Sequence, residues 1–155
     1  VLPTVTAGAE RVSSTRIRAA LAGGELSQAN ALLGREFALQ GRVVHGQKLG
    51  RQLGAPTANI RLRRPSPLRH GVYAVRLDGA PAVANIGLRP TVGGQGEHLE
   101  VHLLEGSPEL YDRVVRIRFE TFLRSEERFP DLTALQAAIA GDIRAARAWF
   151  EKDNH

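Results

Sequence analysis

The rhythm of apolar and polar positions changes near residue 35. Before that point the spacing is helical: in "VSSTRIRAALAGG" Ile17, Ala20 and Leu21 share a face, Ser13 or Ser14 can cap the start, and Gly23-Gly24 ends it. A second short helix in "ELSQANALLG" closes at Gly34. From Glu36 the chain alternates and turns, and "FALQGRVVHG", "TANIRL", "GVYAVRLDGAPAVANIGL", "HLEVHLLE" and "RVVRIRFETFL" predict strands. Asp78-Gly79 sits between two apolar runs as a hairpin signal, because glycine accepts the positive φ of primed turns. Val115, Ile117, Phe119 and Leu123 against Arg116, Arg118 and Glu120 predict a strand with one wet face. Strands at this spacing predict a mainly β protein, a small closed or nearly closed antiparallel barrel. In "DLTALQAAIAGDIRAARAWF", Leu132, Leu135, Ile139, Ile143, Ala146 and Phe150 predict a C-terminal amphipathic helix packed on the barrel, with Asp131 as its cap. The expected division is a helical appendage over residues 1–35 and a barrel unit over 36–155.

Composition narrows this picture in a few places. A chain of 155 residues can close a hydrophobic core without staples. Cysteine is absent, which excludes a disulfide framework, a thiolate zinc site and a cysteine nucleophile. No apolar run is long enough for a membrane helix, and the first ten residues lack the pattern of a secretory signal, so a cytoplasmic setting is expected. The opening Val and the absence of Met lead us to expect that the chain begins inside a longer gene product. A formal charge of +5 suits nucleic acid or small phosphorylated ligands equally. The arginines are scattered and aromatic residues are few, so charge alone leaves both open.

The candidate chemistry lies in two stretches. Gly46, Gly50 and Gly54 punctuate "HGQKLGRQLGAPT", with Lys48 and Arg51 between them. Glycines let backbone N–H groups approach an anion, and the two cations complement phosphate charge, although the spacing is neither of the familiar nucleotide-loop patterns and also suits a long hairpin. Immediately afterwards Thr57 and Asn59 fall on one face of a predicted strand, about 7 Å apart. Both offer neutral oxygens, and Mg²⁺ prefers hard oxygen ligands while sharing its shell with water and substrate phosphates. A β-favouring Thr and a turn-forming Asn would read the same.

In "HLEVHLL", Leu99, Val101 and Leu103 fill one face and leave His98, Glu100 and His102 on the other. The two histidines lie about 13 Å apart along a strand, too far to share one metal ion. Glu100 can serve as a general base if a hydroxyl comes within hydrogen-bond reach, or can be a solvated strand glutamate.

Taken together, "GRVVHGQKLGRQLGAPTANIRL", "GVYAVRL", "ANIGLRPTV" and "LEVHLLEGSPELYDRVVRIRFETFLRSEERFPDLTALQAAIAGDIRAARAWF" resemble the riboflavin kinase domain from about Glu36 to Phe150. The upstream "VSSTRIRAALAGGELSQANALLGR" resembles the tail of the FMN adenylyltransferase module that precedes this kinase in bifunctional bacterial FAD synthetases. The resemblance implies a six-stranded antiparallel Greek-key barrel with a C-terminal helix. It implies transfer of the ATP γ-phosphoryl group, with Mg²⁺, to the 5′-hydroxyl of riboflavin, giving FMN and ADP. By the same resemblance Thr57 and Asn59 meet Mg²⁺ and the nucleotide, Glu100 is the catalytic base, and Gly46, Lys48, Gly50, Arg51 and Gly54 form the ATP-covering loop. "FLRSEERF" falls on the segment that closes over flavin, which makes Arg124 and Phe129 flavin-binding candidates. Ala55 stands where relatives often carry Phe or Ile, a change of packing. FAD synthesis is expected only with the N-terminal adenylyltransferase domain, and neither nucleic acid nor membrane is an expected partner. The rival readings are a basic barrel that binds nucleic acid through "RLRRPSPLRH" and a non-catalytic flavin or nucleotide module.

Overall fold

The computed structural model describes residues 7–44, 57–91, 94–106 and 109–153. Two helices open the chain, α1 (Ala7–Ala22) and α2 (Leu26–Leu33). Six strands follow: β1 (Ala38–Val44), β2 (Thr57–Arg61), β3 (Gly71–Leu77), β4 (Ala80–Thr91), β5 (Gly94–Leu103) and β6 (Val114–Ser125). A long helix, α3 (Leu132–Asp153), ends the fold. The strands close into a barrel in the order β1-β2-β5-β4-β3-β6, every neighbouring pair antiparallel. Two connections, β2 to β3 and β5 to β6, skip over neighbours, which is what makes the topology a Greek key.

Alternation puts one set of side chains inside the barrel. Ala58, Ile60, Tyr73, Val75, Leu77, Ala82, Ala84, Ile86, Leu99, Val101, Val115, Ile117 and Phe119 form its core. Ala20, Leu21, Leu26 and Ala29 of the two N-terminal helices belong to the same cluster, so this apolar core extends from the barrel into α1 and α2. Asn30 fastens the junction: its Oδ1 accepts the Phe37 N–H at 2.7 Å and its Nδ2 donates to the Phe119 carbonyl at 3.3 Å. Gly34, with φ of 74°, ends α2 in the left-handed conformation that glycine adopts without strain. The β3–β4 turn uses Asp78 (φ 48°) and Gly79 (φ 92°), the positive pair that a tight hairpin of this hand requires.

Three local expectations are corrected. Helix α1 starts at Ala7, so Ser13 and Ser14 lie within it; the upstream "AGAERV" is rich in residues that propagate a helix. Leu123 does not share the inward face of Val115, Ile117 and Phe119. Register shifts between β3 and β6 leave Glu120 and Leu123 as extra residues, and Leu123 joins a second cluster outside the barrel wall. There Val72, Ala74, Val83 and Leu104 meet Ala146 and Phe150 of α3. Leu132, expected on the apolar face of α3, is 50% exposed in the first turn, before the helix reaches the barrel. Asp131 does cap α3, accepting the Ala134 N–H at 2.7 Å.

Tyr73 is the central aromatic of the core, with no exposed surface. It meets Phe119 and Phe122 edge to face, both with centroids 5.2 Å away, and its hydroxyl donates to the Arg69 carbonyl at 2.5 Å. Burial pushes its pKa up to about 12, partly opposed by the Arg69 charge. A folded pKa above the unfolded value of 10.0 means that the stabilisation is whole below pH 10 and drains as pH rises toward 12. Denaturant titrations at pH 8 to 11 should therefore show wild type losing stability above pH 10 more steeply than Tyr73→Phe. At pH 8 the variant should be about 0.5–1.5 kcal/mol weaker for the lost hydrogen bond; parallel pH curves for the two proteins would contradict the assignment.

Candidate active site

Because the barrel interior is filled by apolar side chains, the polar residues of β2 and β5 stand on the outer face of the wall. The antiparallel register pairs Thr57 with His102 and Asn59 with Glu100. Asn85 of β4 stands opposite Glu100 on its other side. The residues singled out from two distant stretches are therefore immediate cross-strand neighbours, the closest approach a sheet allows.

Asn59 is 7% exposed, and its Oδ1 is buried without a hydrogen-bond partner among the described residues. A buried amide oxygen left in that state is costly unless a ligand or ion completes it. Thr57 Oγ1 lies 3.1 Å from His102 Nδ1. The oxygens that β2 turns to this face are the neutral ones of Thr57 and Asn59, with the Glu100 carboxylate across from Asn59. That set fits Mg²⁺, which takes few protein ligands and completes its shell with water and phosphate oxygens.

Glu100 is held from both sides. His98 Nε2 lies 3.2 Å from its Oε2, and His102 Nε2 lies 3.2 Å from its Oε1. Its side chain is only 14% exposed and His102 is 5% exposed, so the charge sits in a sheltered, polar-lined place. The glutamate between the two histidines brings both rings to one carboxylate. Sequence spacing gives the shared face of these three residues; the Thr57 contact depends on the register with β2, which spacing does not give.

Arg124 and Phe129 come together a few positions along the wall. Arg124 occupies the same cross-barrel row, through Val72 and Asn85 to Glu100. Its guanidinium forks onto Asp142 of α3 at 2.7 and 2.8 Å and lies 5.6 Å from the Phe129 ring centre. That hydrogen bond, helped by the charges of Asp142 and Glu127, raises the arginine's already high pKa despite burial. Gly87 lies outward on β4, and the carboxylate of the exposed Glu126 lies over it where a Cβ would otherwise stand. Gly46, Lys48, Gly50, Arg51 and Gly54 lie outside the described residues.

Part of the basic "RLRRPSPLRH" stretch has structural duties. Glu97 accepts the Ser66 N–H at 2.6 Å and lies 2.9 Å from His70 Nε2. Arg69 stacks 4.9 Å over Phe122 and donates to Ser125 Oγ at 2.7 Å. No helix among the described residues is long and apolar enough to cross a membrane.

Comparison with known proteins gives this geometry its context. The chain is 53% identical over 157 residues to the bifunctional riboflavin kinase/FMN adenylyltransferase of Pseudomonas fluorescens, covering 98% of this chain and 50% of the relative. It thus spans about half the length of the curated relatives it matches. The fold superposes on a Streptococcus pneumoniae structure described as a macrolide-efflux protein, with a TM-score of 0.80 and 31% identity over 88% of this chain and 46% of that one. It also superposes on riboflavin kinase from Trypanosoma brucei, with a TM-score of 0.55 and 28% identity over 74% of this chain and 80% of that one. Residues 33–150 match the family described as flavokinase, riboflavin kinase, and this chain belongs to that family.

Proposed function

We propose that this chain transfers the γ-phosphoryl group of ATP, as the magnesium complex, to the 5′-hydroxyl of riboflavin, forming FMN and ADP. The observation that carries the reading is the β2–β5 register, which sets Asn59, whose buried Oδ1 lacks a partner among the described residues, directly across from Glu100. Phosphoryl transfer requires alignment and charge neutralisation more than covalent help. Glu100 accepts the proton of the flavin hydroxyl as that oxygen bonds to the γ-phosphorus. The bond from phosphorus to the bridging oxygen breaks, and the electron pair leaves with ADP.

Thr57 and Asn59 would hold Mg²⁺, whose chemistry is to neutralise phosphate charge. Arg124, fixed by Asp142, and Phe129 offer a cation and a ring face to the planar flavin. Gly46, Lys48, Gly50, Arg51 and Gly54 are assigned to nucleotide covering from the sequence alone. We read residues 1–35 as the close of an adenylyltransferase module and 36–155 as the kinase unit, acting in the cytoplasm; the start of the family match at residue 33 supports that division.

Two expected outcomes test the reading. Glu100→Gln should bind riboflavin and MgATP with near-normal KM while kcat for FMN formation, followed by chromatography, falls by about 10²–10⁴-fold. Near-normal kcat would remove Glu100 from the mechanism, and absence of FMN formation by wild type would favour a binding-only module. Asn59→Ala removes a buried acceptor that lacks a partner among the described residues, so the melting temperature should change little. The Mg²⁺ concentration needed for half-maximal rate should rise by about 10- to 100-fold, the worth of one contact to a charged group. An unchanged Mg²⁺ requirement would clear Asn59 of that role.

A further inference from the structure

One buried side chain touches both halves of the proposed machinery. His102 lies with Nδ1 3.1 Å from Thr57 Oγ1 and Nε2 3.2 Å from Glu100 Oε1. It is 5% exposed, and its backbone is fixed by pairing to Thr57 on β2 and to Val83 on β4. No other ring in the site has both nitrogens committed in this way among the described residues; His98 reaches Glu100 alone.

The place of the hydrogens in the Thr57 hydrogen bond and in the close Glu100 contact follows from the inventory of donors. An ionised carboxylate only accepts, so the hydrogen between His102 and Glu100 belongs to Nε2. In a neutral imidazole the other nitrogen is then an acceptor, and the Thr57 hydroxyl is the donor that satisfies it. With its hydrogen turned to the ring, Thr57 Oγ1 presents its lone pairs away from His102. A hydrogen on Nδ1 would reverse this, occupying a Thr57 lone pair.

We propose that His102 is a positioning residue for phosphoryl transfer, holding its hydrogen on Nε2 so that one ring aims the base Glu100 and orients the Thr57 oxygen toward the nucleotide's cation. The inference rests on the kinase reading above and adds to it a coupling: base and metal-facing oxygen are set by the two ends of a single imidazole. Outer partners that orient ligands in this way typically carry about 10- to 100-fold in affinity or activity.

The test has two arms. In the ligand-free wild-type chain, long-range ¹H–¹⁵N correlation spectra should show His102 as the Nε2–H tautomer; a hydrogen on Nδ1 overturns the proposal. In kinetics, the two amides separate the two ends of the ring. His102→Asn places an amide near the former Nδ1 and keeps the Thr57 contact, so kcat should fall about 10- to 100-fold while KM for MgATP stays within about twofold. His102→Gln reaches the Nε2 position and keeps the Glu100 contact, so KM for MgATP should rise about tenfold with most of kcat kept.

Equal losses in both variants, or none, overturn the positioning role, and if either variant fails to fold the tautomer of the wild type decides. Glu100→Gln and Thr57→Ala run alongside as references. If these two also retain wild-type kinetics, the kinase site itself is misassigned; if they lose activity while the tautomer or the split is wrong, only the role of His102 falls.

Discussion

The register between β2 and β5 is the constraint on which the rest depends. Side chains alternate across a strand, so a slip of one residue would carry Asn59 and Thr57 into the apolar interior and bring Ala58 and Ile60 out. The core forbids that exchange, because Ala58, Ile60, Leu99 and Val101 are all buried in it. Hydrophobic packing on the inside of the wall thus fixes the chemistry on the outside. Burying a residue such as Ile60 or Leu99 is worth about 1.5–3 kcal/mol, and a slip would forfeit that at several positions at once.

Closure of the barrel extends the same logic around the circumference. The row from Asn59 through Glu100, Asn85 and Val72 to Arg124 crosses five strands at one level. Helix α3 covers the apolar part of this outer surface through Ala146 and Phe150, and its Asp142 fixes Arg124 in a two-pronged contact. A fork of this kind orients the guanidinium plane as well as neutralising it. The strands carry Glu100, Thr57 and Asn59, while the Glu126 carboxylate, just after β6, lies over Gly87.

Much of the architecture is legible in the amino-acid pattern, since alternation, the Asp78-Gly79 turn and the Asp131 cap are local signals with local causes. Leu123 was not, because a bulge shifts the phase of a strand only where its partner's register demands it. The start of α1 is not legible, because Ser13 and Ser14 look like caps whether or not helix-forming residues precede them. In the site, Thr57, Asn59 and Glu100 stood out by residue type and by resemblance. Their proximity, and His102 as the link between them, depend on which strands become neighbours, and a Greek key joins β2 to β5 across two intervening strands.

The most direct measurement is a crystal structure of this chain with Mg²⁺, a non-hydrolysable ATP analogue and riboflavin. The account predicts the cation on Thr57 Oγ1 and Asn59 Oδ1, with the flavin 5′-hydroxyl about 2.6–3.2 Å from a Glu100 oxygen and facing the γ-phosphorus. Nucleotide and flavin bound on another part of the barrel, with Asn59 Oδ1 still lacking a partner, would contradict it.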